Sequence, residues 1–237
     1  MMPPDERPPV DGPNAAEPNT ACQPGTGDDR GRAARLFGAK STPGRRKVVG
    51  RMGPWQLVRL LGEGAMTRVY LSRPVARPDA APSYAVKVLR KEWWRDTAAI
   101  EMIRREAMVG RRLNYPGLPA VLSAHVDGPP FYTVMARLHG ETAATLLATN
   151  RRPPLARVLW IGRQVVEALA ALAAETGMTH GDVKPENILV SPDGHTTLLD
   201  LGLCRTADES QNWADRPVAG TLRYLAPELV TSVTAGG

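Results

Sequence analysis

A chain of 237 residues, 43% of them hydrophobic, is long enough for one sizeable domain with a real core, or for a domain and a tail. Its 30 Lys and Arg against 24 Asp and Glu give a net charge of +6 with only 5% aromatics, so the arginines read as solvated faces and no nucleic-acid stacking platform is expected. Two distant cysteines, Cys22 and Cys204, exclude a disulfide framework and a cysteine-held metal.

Residues 1–50 are rich in Pro, Gly, Ala and charge, with almost no periodic apolar pattern. Such a segment buries too little surface to offset its ordering entropy and is expected to be a disordered tail. The alternative is a ligand for a polyproline-reading domain, suggested by its proline pairs. The opening "MMPPDERPPVDG" is not a secretory leader, and "VVEALAALAA" from Val165 is too short, and broken by Glu167, to span a membrane. A reduced, cytoplasmic setting is the default expectation.

From Trp55 the texture changes. "WQLVRLL" predicts a strand, "GEGAMTRVYLS" a glycine turn and a second strand, and "YAVKVLR" a third. Asp96 is placed to cap a helix through about Leu113, closed by "NYPG". "FYTVMARL" reads as a further strand and Leu155 to about Glu175 as an amphipathic helix. "NILVS" and "TTLLDL" then form a short hairpin around "PDG".

Chemistry concentrates at the ends of these elements. Gly62 and Gly64 of "GEGAMTRVY" sit between two strands, where a missing Cβ lets backbone amides approach phosphate. The third glycine of a G-x-G-x-x-G pattern is Thr67 here, and a plain hairpin turn is the alternative. Lys87 of "YAVKVLR" is either a lysine snorkelling from an edge strand or a cation that needs a carboxylate on the next helix. Glu106 is the candidate for that carboxylate and Glu101 the runner-up. "THGDVKPENILV" sets Asp182 and Asn187 five apart with Lys184 two after the aspartate. "TLLDLGL" follows with Asp200 and Gly202, and "GTLRYLAPE" ends in Ala226, Pro227 and Glu228.

Taken in order, these segments resemble a protein kinase, and within that family the bacterial serine/threonine kinases of eukaryotic type, over Trp55 to about Val230. The resemblance implies an α+β, two-lobed fold: a small antiparallel-sheet lobe over residues 55–138 and an incomplete helical lobe over 139–237. It implies ATP with Mg²⁺ and transfer to a Ser or Thr hydroxyl of a protein substrate, with no nucleic acid and no membrane segment in this chain. Asp182 would be the base, Lys184 would neutralise the transferring phosphoryl group, and Asn187 and Asp200 would hold Mg²⁺. Lys87, held by Glu106, would meet the α/β-phosphates. Leu61, Gly62, Gly64, Val69, Ala85 and Met135 would line the nucleotide site, with Ala136 to Leu138 as hinge. Thr221, Ala226, Pro227 and Glu228 would dock the substrate, and Lys184 in "DVKPEN" favours Ser/Thr over Tyr.

Gly181 stands where most regulated protein kinases carry an arginine that pairs with a phosphate. Phosphates on Thr206 or Ser210 are therefore expected to change activity little, unless another arginine such as Arg205 takes that role. "HGD" also occurs in small-molecule kinases of the aminoglycoside phosphotransferase type, a competing enzyme class. A non-catalytic nucleotide-binding pseudokinase fragment is a third reading. "GTLRYLAPE" weighs against the former, and the presence of Lys87, Asp182, Asn187 and Asp200 against the latter. Family members continue through further helices, so apolar residues of the Leu155–Glu175 helix are expected to lack cover and the chain to be poorly stable alone.

Overall fold

The computed structural model describes residues 49–149, 152–211 and 222–224. Residues 1–48 of the tail expected over 1–50, and the docking residues Thr221, Ala226, Pro227 and Glu228, lie outside the described residues, whereas Gly50 at the end of that expected tail already belongs to a strand.

Six antiparallel strands make the first layer: β1 (Gly50–Met52), β2 (Trp55–Glu63), β3 (Thr67–Pro74), β4 (Tyr84–Leu89), β5 (Val121–His125) and β6 (Tyr132–Ala136), in the order β1-β2-β3-β4-β6-β5. The pairing of β2 with β3 slips at Val58 and again at Leu61. An unpaired extra residue at each slip bends and twists the strand, which is how Leu57 and Val58 are both buried although they are neighbours. β4 lies between β3 and β6 and is buried from Ala85 to Leu89. Lys87 is therefore on a central strand, which rules out the snorkelling edge lysine.

Helix α1 (Thr97–Gly110) packs against β4, β5 and β6 of this sheet. Its entry is set as the sequence predicts, the Ala99 amide donating to Asp96 Oδ1 at 2.8 Å. It ends three residues earlier than expected. The chain tightens into a turn in which the Arg112 amide donates to Val109 O at 2.9 Å, and Leu113 drops into the second core. Gly110 lies so close to β5 that a Cβ there would come within 2.5 Å of Val121 Cγ2.

The second lobe contains β7 (Glu141–Thr142), α2 (Ala143–Thr149), α3 (Leu155–Thr176), β8 (Met178–Thr179), β9 (Ile188–Val190), β10 (Thr196–Leu198), β11 (Arg205–Thr206) and α4 (Ala207–Gln211). β9 and β10 pair antiparallel, as the hairpin around "PDG" predicts. α3 buries Val165, Ala168 and Leu172, a stripe at helical spacing. Ala168 and Leu172 pack with Val109, Leu113, Leu198 and Leu201, and Gly177 ends the helix in the left-handed region at φ +69. Leu155, Leu159 and Val166 remain exposed among the described residues.

The two-lobed α+β architecture expected from the motifs is the one the chain adopts. β1, β5, β7, β8, β11, α2 and α4 carried no usable sequence pattern. β5 exposes Leu122 beside buried Val121, which defeats alternation, and α2 is only seven residues long. No helix among the described residues is long and apolar enough to cross a membrane.

Candidate active site

Three separate segments meet at Lys87. Its Nζ lies 3.0 Å from Glu106 Oε2 on α1 and 2.9 Å from Asp200 Oδ1 at the end of the "TLLDL" stretch. Burial alone would lower the pKa of the ammonium, but the two carboxylates outweigh it and hold Lys87 raised and charged. Burial pushes the Glu106 carboxyl up against the pull of Lys87. For Asp200 the desolvation that would raise its pKa is overcome by the charge of Lys87, and it stays lowered. Asp200 is the one non-glycine residue among the described residues with positive φ (φ 67, ψ 82). Such a backbone costs about 1–3 kcal/mol and persists only where the surroundings impose it. Here Leu201 next to it is wholly buried in the second core, and Gly202 lies against α1.

Glu106 is 3% exposed whereas Glu101 points to solvent, so α1 brings the first of the two to Lys87. Glu106→Gln is accordingly expected to lower transfer activity while Glu101→Gln leaves both rate and stability within about 0.5 kcal/mol of the wild type. Initial rates with both variants check this, and damage from Glu101→Gln alone would overturn it.

The "HGDVKPEN" loop makes the second half of the site. Asn187 turns its Nδ2 to Asp182, 2.8 Å from the main-chain O and 2.9 Å from Oδ2. Lys184 Nζ is 2.7 Å from the same Oδ2. His180, absent from the sequence expectations, ties the two halves together. Its Nε2 donates to Leu199 O at 3.0 Å, beside Asp200, and its Nδ1 accepts from the Asp182 amide at 3.3 Å. A buried histidine whose acceptor nitrogen faces an N–H is held neutral, and burial moves its pKa below the ordinary value. The unfolded chain therefore takes up a proton near pH 6.5 that the folded chain refuses, and stability drains as pH falls from about 6.5 through the lowered folded value. Urea midpoints at pH 7.5 and 5.5 are expected to fall for the wild type, and to fall less for His180→Asn.

Gly181 has a backbone reason of its own. Its φ is +78 and a Cβ would clash with Leu203 O, a contact no real Cβ makes. Cys204 is buried, and that burial pushes its thiol up to about 12, which leaves it a neutral packing group.

In the small lobe, Gly64 N donates to Thr67 O at 2.8 Å to close the turn between β2 and β3, and Gly62 pairs with Val69, which pairs in turn with Lys87. A Cβ on Gly62 would meet nothing within 4 Å and one on Gly64 only ordinary contacts. Neither glycine is demanded by the protein's own packing, so the space over that strand is open to a ligand. Ala85 pairs with Met135 deeper in the sheet, and Leu61 stands at the strand slip before Gly62. The donor set suits a hard cation: with Nδ2 turned to Asp182, Asn187 presents its amide oxygen, and Asp200 presents a carboxylate. Among the described residues no group of three or more His, Cys, Asp or Glu could hold a metal unaided. Mg²⁺ is commonly held by one or two protein oxygens, the rest coming from substrate phosphates and water.

The family model described as "Protein kinase domain" matches residues 55–236. The serine/threonine-protein kinase PknA of Mycobacterium tuberculosis (strain ATCC 25618 / H37Rv) is 33% identical over 187 residues, which is 74% of this chain and 41% of that protein. The serine/threonine-protein kinase PrkC of Bacillus subtilis (strain 168) is 28% identical over 176 residues, 74% of this chain and 26% of the relative. The chain thus spans about two fifths or less of the length of these curated relatives. Among solved structures, the crystal structure of a point mutant of the Mycobacterium tuberculosis PknI kinase domain superposes with a TM-score of 0.55 at 27% identity, covering 66% of this chain and 63% of that one.

Proposed function

This chain belongs to the protein kinase family, and on that premise we propose that it transfers the γ-phosphoryl group of ATP to a Ser or Thr hydroxyl of a protein. The observation that carries the reading is the bridge at Lys87, whose ammonium lies within 3.0 Å of carboxylates from α1 and from the segment ending in Asp200. Such a bridge fixes a buried cation where the nucleotide phosphates would lie, under the open glycine turn. Leu61, Val69, Ala85 and Met135 supply the apolar wall for the base. Asn187 and Asp200 would hold Mg²⁺, which when bound neutralises phosphate charge.

Asp182 takes the acceptor role. The substrate oxygen forms a bond to the γ-phosphorus as the bond from phosphorus to the β,γ-bridging oxygen breaks, its electron pair leaving with ADP. The hydroxyl proton passes to the Asp182 carboxylate. Lys184, at 2.7 Å from that carboxylate, offsets charge on the transferring group. Asn187 and the His180 ring keep Asp182 aimed. The small-molecule kinase reading finds less support, because the matched family span runs on to residue 236, past Glu228.

Incubation with Mg²⁺-ATP and a generic protein acceptor, followed by phosphoamino-acid analysis, tests the proposal. Phosphoserine or phosphothreonine is expected. Phosphorylation of an aminoglycoside with none on protein would overturn it.

A further inference from the structure

Thr67 holds the third place of the G-x-G-x-x-G pattern, after Gly62 and Gly64, and alone of those positions carries a side chain. Its direction follows from strand register. Thr67 pairs with Leu89 and Val69 with Lys87, without a slip between them. Opposed residues of an antiparallel pair share a face, and every second residue of a strand returns to it. Thr67 therefore projects from the same face as Val69 and Lys87. The packing agrees. Leu89 clusters with Ala99 and Ile103 of α1, the helix that carries Glu106 to Lys87. Tyr70, one position after Val69, packs with Val86 and Val88 on the other face.

Thr67 is half-buried, and among the described residues nothing hydrogen-bonds its hydroxyl. The Oγ1 atom is turned back across the turn, 3.7 Å from the point where a Cβ on Gly64 would stand. The turn itself is held in place. Met66 packs against the cluster of Leu89 and Phe131, and the Arg90 amide donates to Met66 O at 2.9 Å. Arg90 Nη1 donates to Ala65 O at 3.3 Å, and Arg68 Nε donates to Glu63 Oε1 at 2.8 Å across the strand pair. A hydroxyl fixed in this way, open to a ligand and without a protein partner, is a preorganised donor.

We propose that the Thr67 hydroxyl donates a hydrogen bond to the terminal phosphate of ATP and so sets a preference for ATP over ADP. The inference rests on the kinase reading of the site. On that reading the base meets Ala85, and the α/β-phosphates meet Lys87, two residues further along β4. Thr67 stands opposite Leu89, two residues further again in the same direction, about 7 Å at the rise of a strand. That step leads from the inner phosphates to the outermost one. A glycine at this position offers only its main chain, so the contact belongs to the side chain found here. It changes which nucleotide is held, and not merely whether phosphate is held.

The test is calorimetric titration of the full chain with Mg²⁺ and either ADP or the β,γ-imido analogue of ATP. Thr67→Val keeps the branched shape and the strand preference but has no donor. It is expected to weaken the ATP analogue about tenfold and ADP by less than about twofold, the scale of one hydrogen bond to a charged group. Thr67→Ser, which keeps the hydroxyl, is expected to retain the wild-type ratio of the two affinities. The fitted stoichiometry reports the folded fraction, so a folding defect lowers the number of sites and leaves the ratio readable. Equal weakening of both nucleotides by Thr67→Val, or unchanged binding of the analogue, would overturn the inference and leave the kinase reading standing. A wild type that binds neither nucleotide would overturn both.

Discussion

Replacing Asp182 with Asn is expected to lower phosphoryl transfer by about 10²–10⁴-fold, the usual loss for a positioned acid–base group, while ATP binding stays within a few-fold of wild type. The amide keeps the shape of the carboxylate and still offers an oxygen to Asn187 Nδ2, now 2.9 Å from Oδ2. It cannot accept the hydroxyl proton, and it no longer offers Lys184 a charged partner at 2.7 Å. On the proposed reading the nucleotide is held mainly by β2, β3, β4 and β6, away from Asp182, so binding and chemistry should separate. Initial rates together with calorimetric titration of Mg²⁺-ATP check this. Parallel loss of both would mean that the loop has collapsed, and would remove Asp182 from the role assigned to it.

Lys87→Met is expected to abolish measurable transfer and also to destabilise the fold. Methionine fills the volume but leaves Glu106, 3% exposed, without its cation. Breaking a buried pair from one side typically costs about 3–5 kcal/mol, because the orphaned charge has lost its water and gained nothing. Adding Glu106→Gln removes that charge, so the double variant should regain much of the lost melting temperature and none of the transfer. Burial already pushes the Glu106 carboxyl up, and without Lys87 it should take up a proton more readily. The deficit of Lys87→Met relative to the wild type is therefore expected to shrink as pH is lowered from 7 toward 5. Thermal melts of the three proteins at both pH values check it. An unrescued double variant would mean that the lysine stem, and not the ion pair, carries the stability.

Much of the site is legible in the sequence, because its parts are local. The turn at Gly62 to Thr67, the cap at Asp96 and the Asp182–Asn187 spacing each depend on residues a few positions apart, where propensity and hydrogen-bond reach are decided within one element. The strands β2, β3, β4 and β6 and the helices α1 and α3 follow for the same reason, since each carries a long enough apolar pattern. What the residues alone left open were the meetings between elements. Lys87 and Asp200 are 113 positions apart and Arg105 and Glu209 are 104. No periodicity encodes such pairs; they exist because the sheet, α1 and α3 dock on two shared apolar cores. Docking placed β4 in the middle of the sheet, so that a lysine which could have been an exposed edge residue became a buried cation. It also chose Glu106 over Glu101, by burying one face of α1, and threaded His180 between Leu199 and Asp182. A buried polar side chain must find its partners wherever packing has put them, and that requirement, imposed after the cores form, assembles the site.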